Sequence, residues 1–154
     1  MKSIYVLTLC LFFIATPKTS EAQDTLKVLS WNVFLRPSIL GDKQMKRVDS
    51  IAHYLIESNA DVVVVQEAFH RRARKRLGQL MDSAYQFQTC PGPKSMYGVS
   101  SGVIIYSKIP FKEEESHHSF SDHTGSDKLA KKGLVHVVLN QNGKDIAIIG
   151  THLQ

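Results

Sequence analysis

Residues Asp61–Phe69 spell DVVVVQEAF. Val62, Val63, Val64 and Val65 leave an extended segment with no polar side, because alternate side chains point to opposite faces. The run therefore suits a strand covered on both faces rather than one half in water. It ends in Gln66 and Glu67. A carboxylate at the mouth of a buried strand is costly to desolvate unless it stays near water, meets a cation or binds a metal. Taken alone, Glu67 reads more often as a solvated acid in a strand-to-helix loop.

A second β-rich segment, Leu26–Phe34 (LKVLSWNVF), places Asn32 just before its end. The amide oxygen of an Asn is a good partner to one carboxylate around a hard cation such as Mg2+, which prefers oxygen ligands and keeps several waters. With these residues in view, the sequence resembles the endonuclease/exonuclease/phosphatase family. The resemblance rests on Ser30-Trp31-Asn32, on the valine-rich strand ending in Gln66-Glu67, and on Thr151-His152-Leu153-Gln154. Within the family it is similar to the secreted neutral sphingomyelin phosphodiesterases of bacteria.

The 154 residues are 43% hydrophobic and 21% charged, which fits one globular domain at most. Lys2, the apolar run Ile4–Ala15 and the small residues Ser20 and Ala22 form a secretory leader, residues 1–22, with cleavage after Ala22. The run is short for a membrane span, which takes roughly twenty apolar residues. Cys10 follows Leu9 in mid-run, which argues against a lipoprotein signal. The protein is thus expected to be secreted, with a periplasmic destination left open. Losing Lys2, Lys18 and Glu21 leaves 17 basic and 13 acidic residues, a formal +4. That mild excess is compatible with a phosphate-bearing substrate or an anionic surface and diagnostic of neither. Cys90 then stands alone among residues 23–154, so any disulfide would need a cysteine further along.

Arg36-Pro37 and Gly41-Asp42 mark a loop, and the spacing predicts a helix from Gln44 to Ser58 with Met45, Val48, Ile51, Ala52, Leu55 and Ile56 on its inner face. His53 lies off that stripe and is expected in solvent. A basic helix is predicted over Arg71–Met81. Ala73, Leu77, Leu80 and Met81 face inward, and Arg71, Arg72, Arg74, Lys75 and Arg76 crowd the other side. Such a run is usually a solvated face, and the sharper alternative is contact with phosphates of nucleic acid or lipid. Short strands are predicted at Tyr85–Thr89 and Val103–Tyr106, the second led by Gly102, which lets backbone approach the candidate metal pocket closely. Glu113–Asp127 reads as a polar loop. Its His117, His118 and His123 lack Cys or carboxylate partners at zinc spacing and are expected to be solvated. Leu134–Leu139 and Asp145–Gly150 form a hairpin about Asn142-Gly143, a pair that tolerates positive φ at both positions.

The resemblance continues in SGVIIYSKIPF, residues 101–111, and in Asp127 to Gly133, whose spacing is D-x-L-x-x-K-G. It implies a four-layer α/β sandwich of the deoxyribonuclease I kind, of which this chain supplies the N-terminal half. It implies Glu67 and Asn32 as ligands of a catalytic Mg2+, or of another divalent cation. It implies His152 as the group on the scissile phosphate, with Asp127 and Lys132 beside it setting the competent state. A Lys-Gly turn before a strand is the plain alternative for Lys132. The implied activity is phosphodiester hydrolysis, with sphingomyelin the first substrate and phosphocholine and ceramide the products. The partner is a sphingomyelin-containing membrane surface, nucleic acid comes second, and the protein is expected to be a monomer. A related secreted nuclease and a non-catalytic binding module on the same scaffold stay open as alternatives. The family's downstream Asp-x-Asn element and final Asp-His pair have no match up to Gln154. On that ground residues 23–154 are expected to be part of a longer enzyme and inactive alone.

Overall fold

A computed structural model describes residues 25–41, 43–121 and 130–153. Strand β1 (Val28–Leu35) is followed by a 3-10 turn (Ser38–Leu40) and helix α1 (Gln44–Glu57). Strand β2 (Val62–Ala68) leads into helix α2 (Arg71–Met81), then β3 (Phe87–Gln88) and β4 (Ile104–Ser107). Strands β5 (Ser116–Ser119), β6 (Gly133–Gln141) and β7 (Lys144–Thr151) complete the order. The strands form two sheets, one ordered β1-β2-β4-β3 and the other β5-β6-β7. β1 and β2 run parallel, and every other named pairing is antiparallel.

The valine run sits at the centre of both contacts. Val63 and Val65 share one cluster with Val48, Ile51 and Leu55 of α1 and Leu77 and Met81 of α2. Val62 and Val64 face the other way and meet Val135, Val137 and Leu139 of β6. All four valines are buried, so the double coverage expected of a strand with no polar face is what the fold provides. Helices, a four-stranded sheet and a three-stranded sheet make three stacked layers of the deoxyribonuclease I-like sandwich. The outer face of the second sheet carries Leu134 and Val138, partly buried, and Ile149, exposed.

The sheets meet closely at Gly150. A methyl group there would lie 2.9 Å from both Val103 and Val64 across the interface and 3.3 Å from Val135 on the neighbouring strand. Glycine is therefore what allows β7 to lie against β2 two residues before His152.

Helix α2 matches its expected limits, and the hairpin turns at Asn142 (φ +52°) and Gly143 (φ +80°). His53 is exposed beside Glu57, as expected. Four expectations need correction. Met45 and Ile56 are exposed and Gln44 is buried, because the covered stripe of α1 is narrower than its apolar count and centres on Val48, Ile51, Ala52 and Leu55. Residues 116–119, read as loop, form β5, whose backbone is satisfied by pairing Ser116–Ser119 with Gly133–His136. His117 on that strand is partly buried, with its Nε2 2.9 Å from Glu115 Oε1, rather than solvated. Arg74 turns inward: its Nη1 donates to the Ala68 carbonyl (2.9 Å) and to Ser100 Oγ (3.2 Å).

Gly150→Val should lower stability by about 1–3 kcal/mol through overpacking between the sheets. A urea midpoint equal to that of the parent would show that the sheets do not press together there.

Candidate functional site

Three strand ends deliver the site. Parallel pairing of β1 with β2 sets Asn32 opposite Gln66, one residue short of Glu67. The β1–β2 register then slips between Asn32 and Leu35. Within that slip Phe34 is left-handed (φ +52°), and its N–H donates to Asn32 Oδ1 at 3.0 Å. A short side-chain acceptor two residues back is a common support for such a turn. Glu67 is also left-handed, at φ +56°, a region that costs a non-glycine residue roughly 1–2 kcal/mol. Residues held in this way gather where surrounding structure over-determines them, often at functional sites.

The surroundings of Glu67 supply that restraint. The Ala68 N–H donates to the Gly102 carbonyl (2.9 Å), and the Ala68 carbonyl is held by Arg74. Gly102 has φ +72°, and a Cβ there would lie 2.5 Å from the Phe69 ring. Its lack of a side chain thus seats Phe69 behind the end of β2, which refines the expectation of a close backbone approach. Gln66 is fixed to β1 by donating from Nε2 to Ser30 Oγ at 2.9 Å.

Asn32 Nδ2 donates to Glu67 Oε1 at 2.8 Å, and His152 Nε2 lies 3.5 Å from the same oxygen. The Glu67 and His152 side chains are only 15% and 23% exposed, so water screens this contact weakly. His152 Nδ1 is buried with no hydrogen-bond partner among the described residues. A ring with one nitrogen near a carboxylate and the other unsatisfied suits a group that exchanges partners during a reaction.

The expected residues are thus brought together in part. Asn32, Glu67 and His152 share one oxygen's neighbourhood. Lys132 is buried just before β6. The β6–β7 register pairs Leu134 with Thr151, which leaves Lys132 and His152 beyond the same end of that ladder. Asp127 lies outside the described residues. Sequence reasoning missed three of the supports, namely Ser30, Phe69 and Arg74. Only Gly102 had been marked, and five neighbouring cations give no hint of which one turns inward.

The donor set fits a hard divalent cation. One carboxylate and one amide converge at a water-accessible strand end, the oxygen-rich and incomplete shell that Mg2+ tolerates. Among the described residues no three of His, Cys, Asp and Glu gather into a fuller metal cluster.

Two sheets with helices outside, and a carboxylate, an amide and an imidazole meeting beside β2, define a deoxyribonuclease I-like α/β sandwich. This chain belongs to the Endonuclease/Exonuclease/phosphatase family, whose model matches residues 29–143. It is 35% identical to Sphingomyelinase C 2 of Leptospira interrogans over 158 aligned positions, covering 89% of this chain and 25% of that protein. It is 34% identical to a Phospholipase C of Staphylococcus aureus over 151 positions, covering 88% of this chain and 46% of the other. A beta toxin of Staphylococcus aureus solved with bound magnesium ions superposes with a TM-score of 0.76 at 33% identity, over 84% of this chain and 49% of the toxin. The chain thus spans less than half the length of these curated relatives.

Glu67→Asn should keep or raise stability, by up to about 1 kcal/mol, because Asn accepts the left-handed backbone more readily. A loss above about 1 kcal/mol in chemical denaturation would mean that the carboxylate contacts, and not the site's chemistry, justify the strained conformation.

Proposed function

We propose that this chain carries the substrate-binding and metal-binding half of an exported, Mg2+-dependent sphingomyelin phosphodiesterase. The observation that carries the proposal is the convergence of Asn32, Glu67 and His152 at three strand ends. The relatives' names supply the substrate class.

Glu67 would be the principal ligand of the cation. Asn32 would offer the second lone pair of its Oδ1, which already accepts from the Phe34 N–H. Bound there, a divalent cation supplies Lewis-acid polarisation of a phosphoryl oxygen. His152 Nε2, 3.5 Å from Glu67 Oε1, would donate a proton or hydrogen bond as negative charge grows on the phosphate or leaving oxygen. Lys132 adds positive charge from the neighbouring strand start, and Asp127 is its proposed positioning partner. In-line attack by water on the phosphorus would then release phosphocholine and ceramide. Export through the leader read at residues 1–22, a membrane surface as partner and a monomeric protein complete the reading.

The nuclease alternative rested on the basic face of α2, and that face is partly committed elsewhere. Arg76 pairs with Asp49 at 3.0 Å, and Arg74 holds the end of β2.

The test is phosphocholine release from sphingomyelin vesicles by the whole protein, with Mg2+ and with chelator, beside plasmid cleavage. Activity should require the metal and spare DNA. Glu67→Ala should lower turnover by about 100-fold or more. Full activity of that variant at saturating Mg2+ would remove Glu67 from the metal. His152→Ala should lower kcat by about 100- to 10,000-fold. A change confined to KM would make His152 a substrate-positioning residue instead.

A further inference from the structure

A second concave surface lies between α2 and the β3–β4 edge of the first sheet, and none of Asn32, Glu67 and His152 lines it. Its volume is about 510 Å3, larger than a bare ion needs and within the range of small-molecule sites. Arg71, Arg74 and Lys75 line it from the helix, with Asp82 as its one carboxylate, and Tyr106 and Gln88 line it from the sheet.

The charge here is unbalanced. The side chains of Arg71 and Lys75 hold no ion pair or hydrogen bond among the described residues. Arg74 spends Nη1 on Ala68 and Ser100, and its remaining guanidinium hydrogens have no partner among them. Burial lowers the Arg74 pKa, the neighbouring Tyr106 phenol opposes that, and the Arg71 charge lowers it further. An isolated cation cluster of this kind gains from an anion placed between its members.

A separate observation concerns a residue that lines the same groove. Tyr106 is fully buried, and its hydroxyl has no hydrogen-bond partner among the described residues. Burial pushes that phenol well above its ordinary pKa, so it stays protonated and can donate. Leaving a buried hydroxyl unpaired costs about 1–3 kcal/mol, which an incoming acceptor would recover.

We propose that this groove is a second ligand site, which takes a phosphate monoester dianion between Arg71, Arg74 and Lys75 with the Tyr106 hydroxyl donating to it. Planar guanidinium groups match phosphate oxygens in pairs, and three cations against one carboxylate favour a doubly charged ligand. The remaining volume leaves room for the organic group of the ester. The same chemistry occurs on soluble phosphate esters and on the headgroup of phosphatidic acid.

Calorimetric titration of the whole protein with inorganic phosphate and with glycerol 3-phosphate, at fixed ionic strength, tests the site. A Glu67→Gln/His152→Ala background keeps the candidate phosphodiesterase centre out of the signal. Saturable one-to-one binding is expected, weakened about 10-fold or more by Arg71→Gln/Lys75→Gln. Tyr106→Phe should weaken binding by about 10-fold without lowering the melting temperature, as loss of a hydrogen bond to a charged partner would. Flotation with vesicles of phosphatidylcholine, with and without phosphatidic acid, separates the sources. Lipid-dependent capture that the Arg71/Lys75 variant abolishes identifies a headgroup, and binding of the soluble esters alone identifies a free ligand. Absence of saturable binding, equal displacement by chloride, or binding unchanged in the Arg71/Lys75 variant would overturn the proposal.

Discussion

Four consecutive valines cannot be screened from water by one layer, because alternate side chains leave a strand in opposite directions. In β2 the odd and even members are claimed by different partners, Val63 and Val65 by the helices and Val62 and Val64 by the second sheet. At roughly 1.5–3 kcal/mol for each valine fully buried, this strand ties three layers together. Most other features follow from where its ends must lie. Its start is held to β1 through the Asp61 N–H and the Lys27 carbonyl, and its far end opens at the surface with Glu67.

That geometry explains how a cluster of polar side chains can stand on an oily scaffold. Parallel pairing carries Asn32 to the level of Gln66, and the slip in β1 lets the chain turn away there instead of covering the carboxylate. Gly150 lets β7 come close enough for His152 to reach the same oxygen. None of these residues holds the core together. They occupy the margin where the core stops, held by a backbone that the valines have already fixed.

Much of this was readable before any coordinates. The valine run implied two-sided coverage, Asn142-Gly143 implied a hairpin, and the polar residues ending LKVLSWNVF and DVVVVQEAF marked candidate chemistry. What could not be read was register. Asn32 and Glu67 are 35 positions apart, and only the pairing of β1 with β2 makes them neighbours. Strand β5 was hidden for a different reason: Ser-His-His-Ser carries no apolar alternation, and its extended form comes from hydrogen bonds to β6 rather than from burial. The margins of α1 misled because periodicity identifies a face but not how far a neighbouring layer extends, so Met45 and Ile56 look like core and stand in water. Arg74 shows the opposite error, a cation that reads as surface and braces the end of β2 through Ala68.

Glu67 occupies a backbone region that glycine and asparagine enter readily and that long side chains avoid. Random substitution guided by stability alone would therefore empty this position of glutamate while leaving the oily run before it almost untouched. A lineage in which the acid persists is under pressure from something other than packing. The oily run reports the layering of the fold, and this one letter reports a demand that packing alone does not make.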